Sequence, residues 1–303
     1  MVKVEVVIPI YRAEQALVDV VESCMAISEI SRVILVWDGG TTECLKTARS
    51  LHENWDRKVL LIELTRNFGQ HNAILAAIEC VTAPFVVTMD EDYQHNPSSI
   101  PLLLEKIVKE DVDVVYATYR EARFSWHRKL LSGSLRRALR LAIPGLPAEY
   151  SSFRIVRTSL ARHLTRFSNS YTFIDGYLAW CTDRFSSIAV EHHNSREEKS
   201  AYTTSKLLVH ALNIFVVFSV LPLRLLTLMG SLLLILTSIA GVWVFIEKFI
   251  LGKDYLPGYA STAILLLGSL GVLSMFLGIL AEYVFRINEK TSNRPSFLIR
   301  RHD

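Results

Sequence analysis

The sequence predicts an α/β domain on a mostly parallel, Rossmann-like sheet, followed by a membrane anchor. Three observations predict it. Short β-branched runs alternate with helical stretches from Val4 to Ala117, the pattern of parallel strands joined by crossover helices. Two charge-free apolar runs follow, Leu225–Ile246 (22 residues) and Tyr255–Ala281 (27 residues). At about 1.5 Å per residue the shorter run spans roughly 33 Å as a helix, enough to cross a bilayer core. An acidic cluster, Asp90-Glu91-Asp92, directly follows one of the apolar strands.

The elements can be taken in order. Val4–Ile10 is a strand ending at Pro9-Ile10-Tyr11, and Ala13–Ala26 a helix. Ser31–Val36 is a second strand closed by Asp38-Gly39-Gly40, then Thr41–Asn54 is helical. Val59–Leu64 is a third strand, followed by Arg66-Asn67-Phe68-Gly69 and a helix over Gln70–Cys80. Pro84–Met89 is a buried strand running into Asp90, Pro97–Glu110 a helix, and Val112–Ala117 a strand. Phe124–Leu141 is a basic amphipathic helix, and the Pro- and Gly-containing stretch Ile143–Tyr150 a loop. Phe153–Val156 and Ser187–Glu191 are short strands, and Tyr171–Cys181 is helical. Thr203–Ser219, before Pro222-Leu223-Arg224, reads as an interfacial helix lying on a membrane, with an ordinary core helix as the alternative. The resulting division is 1–202 for the sheet domain, 203–220 for the juxtamembrane helix and 221–303 for a two-helix anchor with a basic tail.

The net charge of +3 gives no indication of nucleic acid as a partner. Charge is instead concentrated in Arg120, Arg123, Arg128, Lys129, Arg136, Arg137 and Arg140, a solvated face or a phosphate and headgroup surface. Cys24, Cys44, Cys80 and Cys181 form no CxxC pair and match no zinc framework, which suits idle thiols in a reducing compartment. The N-terminus lacks a basic region followed by a cleavage site. Arg286, Lys290, Arg294, Arg300 and Arg301 crowd the tail, whereas Glu247–Asp254 is balanced. The positive-inside rule then places the sheet domain and both termini in the cytoplasm, with two spans of the cytoplasmic membrane. Such short anchors associate through small-residue faces, so a homo-oligomer is an open expectation.

In a doubly wound sheet, ligands bind at the carboxyl ends of the strands, where Asp38, Arg66 and Asp90 would converge. Asp90 and Asp92 are hard-oxygen donors suited to Mg²⁺ or Mn²⁺, which would also bridge a diphosphate. Neutralising a leaving diphosphate lowers the barrier to glycosyl transfer.

With those residues stand VVIPIYRAE (6–14), VWDGGTTE (36–43), RNFGQHNAILAAI (66–78), MDEDYQHNP (89–97), REEKSAYTTSKL (196–207), PLRLLTLMG (222–230) and EYVFRINEKTSNRP (282–295). Together they resemble the family 2 glycosyltransferases of the polyprenyl-phosphate group, including dolichol-phosphate mannose synthase-like and bacterial undecaprenyl-phosphate sugar transferases. The resemblance implies a GT-A-type fold and inverting transfer from a nucleoside-diphosphate sugar to polyprenyl phosphate at the cytoplasmic membrane face. It also implies roles. Pro9, Tyr11, Glu14 and Asp38 would line the sugar-nucleotide pocket, with Asp38 on the base or ribose. Asp90 and Asp92 would organise metal and diphosphate, with Gln94 nearby. Arg66 would lie beside the nucleotide or form a structural ion pair. Arg196, Lys199, Ser200 and Tyr202 would close over a phosphate, or form a plain surface loop. Arg120 and Arg123 would face the acceptor phosphate or solvent.

The chain departs from this family at three places. Trp37-Asp38-Gly39-Gly40 replaces Asp-Asp-Gly-Ser, Glu198 replaces a glycine, and Ser151-Ser152-Phe153-Arg154 replaces Gly-Asp-Phe-Arg. The usual carboxylate is therefore absent at Ser152. Glu149 and Asp175 are the replacement candidates for a catalytic base, with purely structural roles as the alternative. A phosphate monoester acceptor, dianionic above a second pKa of about 6, needs little deprotonation. Two rival readings remain: an enzyme with another acceptor, and a catalytically degenerate membrane-anchored module that binds sugar nucleotide or lipid phosphate.

Overall fold

The computed structural model describes residues 2–12, 15–119, 143–167, 172–190, 258–291 and 295–300, with scattered positions between 232 and 251. Glu14, Arg120, Arg123, Arg196, Lys199, Ser200 and Tyr202 lie outside the described residues, as do the expected helices Phe124–Leu141 and Thr203–Ser219. The chain divides into two compact units, Met1–Phe215 with Asn293–Asp303, and Val216–Ser292.

The first unit is a seven-stranded mixed sheet in the order β3-β2-β1-β4-β6-β5-β7. Its strands are β1 Val4–Ile10, β2 Ile30–Trp37, β3 Val59–Glu63, β4 Phe85–Thr88, β5 Val114–Tyr119, β6 Arg154–Arg157 and β7 Phe185–Val190. Among the described residues it also has helices α1 Gln15–Met25, α2 Thr42–Trp55, α3 Gln70–Ile78, α4 Ile100–Lys109, α5 Thr158–Leu164 and α6 Ile174–Cys181. Every residue of β1 is buried, as befits a central parallel strand covered on both faces. On one face, Val4, Val6, Ile8 and Ile10 join side chains of β2, β4, α1, α2 and α4 in one core. Within that core, burial pushes the Cys24 thiol up to about 12, so it is inert.

Through β4 the elements follow the expected order to within a few residues. Two features are new. Helix α5 continues directly from β6. And β6 is antiparallel to both neighbours, with Thr88 opposite Arg154 and Tyr116 opposite Arg154. This reversal brings the start of β6 to the carboxyl end of β4, so the segment before β6 sits beside Asp90.

The sheet turns back on itself between β1 and β4. The chain winds β1, β2, β3 in one direction, then α3 carries it across to β4 on the other side of β1. That is a topological switch point, with a crevice outside the strand ends. The Val7–Thr88 pair is the last between β1 and β4, and Val7 accepts from Met89 N at 3.1 Å. Pro9 faces the same way two residues on, beyond the end of β4. Its missing N–H therefore breaks no ladder bond.

The loops after β1 and β2 then meet backbone to backbone. Thr41 N donates to the Tyr11 carbonyl at 2.9 Å, and a Cβ built on Gly40 would lie 1.9 Å from that oxygen. Gly39 has φ +67°, and a Cβ there would lie 2.6 Å from Asn67 N.

The second unit contains α7, Tyr259–Thr291, a helix of 33 residues. Leu265, Leu266, Leu273, Leu277 and Phe285 on it are more than half exposed. Among the described residues, no helix is long and apolar enough to cross a membrane. The C-terminal tail, grouped by sequence with the anchor, clusters with the sheet instead. Ile299 pairs antiparallel with Leu64, next to the end of edge strand β3.

Gly40→Ala is expected to lower stability by about 2 kcal/mol or more, because the backbone of two loops has to separate. Gly278→Ala, inside α7 where a Cβ meets nothing within 4 Å, is the control and should lose nothing, with a gain of up to about 1 kcal/mol from helix propensity. Thermal unfolding of the two purified variants beside wild type measures the difference.

Candidate active site

Four strand ends deliver the site. After β2, Asp38 is buried, with its amide donating to the Ile10 carbonyl at 3.1 Å. Its carboxylate accepts from Phe68 N at 2.7 Å and Gly69 N at 2.8 Å, so it staples the turn between β3 and α3. Burial raises the Asp38 carboxyl above its ordinary range, and these two amide bonds pull it back down. Arg66, on the same turn, is exposed and stacks over the Phe68 ring at 4.5 Å.

After β4, Asp90 takes hydrogen bonds on both oxygens. Gln70 Nε2, at the start of α3, donates to Oδ1 at 2.5 Å, and Ser152 Oγ donates to Oδ2 at 2.8 Å. The Asp90 amide donates to His95 Nδ1 at 3.0 Å. Phe153 stacks on that imidazole, with ring centres 5.1 Å apart. Asp92 keeps an exposed edge and accepts from the Gln94 amide at 3.1 Å. Lost hydration pushes its carboxyl up, and the neighbouring Asp90 charge pushes the same way. Glu91, between them, reaches back across the crevice and accepts from Tyr11 N at 2.8 Å and Arg12 N at 3.0 Å.

Thus Tyr11, Asp38, Arg66, Asp90, Asp92 and Gln94 all stand on loops at the carboxyl edge of the sheet. The two base candidates do not join them as free bases. Glu149 is exposed and accepts from Ser187 Oγ at 3.5 Å. Ser187 lies on β7, in one row with Tyr116, Arg154 and Thr88. Three strand spacings of about 4.8 Å put it roughly 14 Å from β4. Glu149 therefore does not take the position of Ser152 beside Asp90. Asp175 is buried in an ion pair with Arg154, and its Oδ1 also accepts from Tyr116 at 2.9 Å. Burial, and after it the Asp175 charge, drives the Tyr116 phenol well above its ordinary value. Arg154 and Asp175 reach the wall of a cleft of about 210 Å³ that is also lined by Gln70, Tyr150, Ser152 and Phe173.

Sequence reasoning missed Glu91 and Gln70 as site-shaping groups and passed over Ser152 as a mere loss. The usable signal was the acidic triplet itself, since three consecutive carboxylates cannot all face one ligand.

The oxygens fit a divalent cation. Among the described residues no cluster of three or more His, Cys, Asp or Glu side chains could hold a metal. Two neighbouring carboxylates, Asp92 exposed and Asp90 held by one hydrogen bond on each oxygen, suit a hard cation that takes its remaining ligands from water and substrate phosphates. The raised Asp92 carboxyl is a charge that a cation would relieve.

Residues 5–165 match the model of glycosyl transferase family 2. The chain belongs to that family. It is 27% identical to the undecaprenyl-phosphate 4-deoxy-4-formamido-L-arabinose transferase of Serratia proteamaculans, over 99% of this chain and 93% of that protein. It is 29% identical to the enzyme of the same name from Enterobacter sp., with the same coverage. An uncharacterised glycosyltransferase of Synechocystis, sll0501, is 27% identical over 98% of this chain and 95% of its own length. Among solved structures, glucosyl-3-phosphoglycerate synthase from Mycobacterium tuberculosis, in complex with Mn²⁺ and uridine-diphosphate-glucose, shares the fold. The TM-score is 0.53 at 17% identity, over 71% of this chain and 77% of that one.

Asp92→Asn separates the charge from the fold. The folded-state pKa of Asp92 is raised, so its ionised form costs stability above the unfolded carboxylate pKa of about 3.9. That cost grows as pH rises through the folded value and is absent at lower pH. At neutral pH without metal, Asp92→Asn is therefore expected to melt at or slightly above wild type. Added Mn²⁺ should raise the melting temperature of wild type and not of the variant. Differential scanning fluorimetry with and without Mn²⁺ measures both.

Proposed function

We propose that this chain transfers a sugar, with inversion, from a nucleoside-diphosphate sugar to polyprenyl phosphate, most simply undecaprenyl phosphate. The observation that carries the proposal is the coincidence of two facts. The chain aligns over 99% of its length with undecaprenyl-phosphate sugar transferases. And Asp90 and Asp92 stand at a strand-order switch point, where open α/β sheets bind their ligands.

In this reading the crevice between β1 and β4 receives the nucleoside diphosphate. The Asp38-stapled turn forms one wall and Tyr11 the other. Mg²⁺ or Mn²⁺ held by Asp90 and Asp92 would neutralise the charge developing on the leaving diphosphate. Gln70 and Ser152 fix the Asp90 carboxylate by donating to one oxygen each. The cleft beside Ser152 takes the sugar. The acceptor phosphate, already dianionic at neutral pH, supplies its own nucleophilic oxygen. No protein base is required, in keeping with the remote Glu149 and the paired Asp175. Arg120, Arg123, Arg196 and Lys199 are the guanidinium and ammonium groups proposed for the acceptor phosphate.

The anchor belongs to the same proposal: two spans, with the sheet domain and both termini in the cytoplasm. Its support is the charge-free sequence of both runs and the exposed aliphatic surface of α7, which water would not tolerate and lipid would. An even number of crossings is in keeping with the single bridge between Ile299 of the tail and Leu64 beside β3.

The test is purified protein with undecaprenyl phosphate, Mn²⁺ and a panel of nucleotide sugars. A lipid-linked sugar phosphodiester is expected from one donor. Donor binding with no product from any of them would favour the degenerate binding module. Glu149→Gln should turn over within about twofold of wild type. Asp175→Asn should lose about 3–5 kcal/mol of stability, because it strands a buried guanidinium. A large loss of kcat in a fully folded Glu149→Gln would restore the base.

Topology is tested separately. A cysteine replacing Gly252 should react with an impermeant maleimide from outside intact cells, whereas one replacing Lys3 should react only after lysis. The opposite pattern would reverse the orientation.

A further inference from the structure

The C-terminal tail makes contacts that the proposed chemistry does not use. Thr65 N donates to the Leu298 carbonyl at 2.9 Å, and Arg300 N donates to the Glu63 carbonyl at 2.7 Å. Between these bonds Leu64 faces Ile299 as an antiparallel pair. The Arg300 guanidinium lies 3.9 Å from the Glu63 carboxylate, which is buried and already holds Arg49 through two hydrogen bonds of 2.8 and 3.0 Å. Strand β3 is the outermost strand on this side of the sheet, with β2 as its neighbour on the other side. An uncovered edge has unpaired backbone groups and opens from its end. The tail covers the end from which the chain runs into Arg66-Asn67-Phe68-Gly69. That turn carries the two amides that Asp38 holds.

We propose that the tail is a positioning strap for the donor site. Leu298–Arg300 pins Glu63–Thr65, and through them fixes the turn whose amides meet Asp38, with Arg300 as the positioning residue. The strap couples the segment that follows α7 to the nucleotide crevice, since only six residues lie between Thr291 and Leu298 in the chain. The assignment of the turn to the donor nucleotide rests on the function proposed above. The pinning of the turn does not.

Two variants separate the backbone bond from the charge. Arg300→Pro removes the N–H that donates to Glu63, whereas Arg300→Ala keeps it and removes the guanidinium. Amide hydrogen exchange of the full-length protein in nanodiscs reads the turn directly. Arg300→Pro is expected to speed exchange at Phe68 and Gly69 roughly tenfold, as loss of an edge hydrogen bond implies, with β5 unchanged. Arg300→Ala should change it by less than about threefold. Affinity for UDP with Mn²⁺, or for GDP with Mn²⁺ if wild type prefers it, should fall roughly tenfold in Arg300→Pro alone. Wild-type exchange at Phe68 and Gly69 in Arg300→Pro would overturn the strap, as would an equal rise across the whole sheet. If wild type binds neither nucleotide, the proposed function is at fault, and the exchange rates still decide the strap.

Discussion

The site depends on β1 and β4 parting company after the Val7–Thr88 pair. Up to that point they are hydrogen-bonded neighbours deep in the sheet, and beyond it their chains diverge into separate loops. The divergence opens a crevice, and two buried or half-buried carboxylates keep its walls in place. Asp38 holds the β3–α3 turn by its amides, and Glu91 holds the β1–α1 loop by its amides. Each replaces water on backbone donors that would otherwise be solvated and mobile. Asp90 and Asp92 can then present oxygens at the mouth of the crevice while their acidic neighbour faces the other way.

The reversed strand β6 gives the crevice its other side. Because it runs against β4, its first residues lie at the carboxyl edge, and Ser152 donates to Asp90 at the position where this chain departs from the resemblance's usual carboxylate. A third acid there would crowd Asp90 and Asp92 with like charge. A hydroxyl orients Asp90 without adding charge. The buried Arg154–Asp175 pair beneath it is a packing device: removing either partner leaves the other charged in a dry environment, whereas together the two charges neutralise each other, with Tyr116 donating to the same Asp175 oxygen. Such a site suits an acceptor that brings its own negative oxygen.

Much of this was legible in the sequence for definite physical reasons. The strands from Val4 to Met89 are largely apolar because both faces of the sheet are covered, and the helices between them carry the expected period. Asp38 and Asp90 follow those runs directly, so their convergence needed only the rule that ligands sit at strand ends. The rest was not legible because it depends on strand direction and distant pairing. Four residues of β6 carry no mark of running antiparallel. Glu149 lies three positions from Ser152 in the chain, yet bonds to Ser187 across the sheet. Glu91 contributes through backbone amides nearly eighty residues away in the chain, which no side-chain pattern records. The tail's pairing with β3 joins Leu64 to Ile299 through a single bridge, too short to leave a strand signature.

The central claim is that Asp90 and Asp92 hold a divalent cation against a nucleoside diphosphate in this crevice. Pulsed electron–nuclear double resonance on Mn²⁺ bound to the full-length protein tests it most directly. With UDP or GDP present, wild type should bind one Mn²⁺ and show phosphorus hyperfine coupling from the diphosphate, and Asp90→Asn should lose both. Phosphorus coupling of wild-type strength in Asp90→Asn would contradict the account.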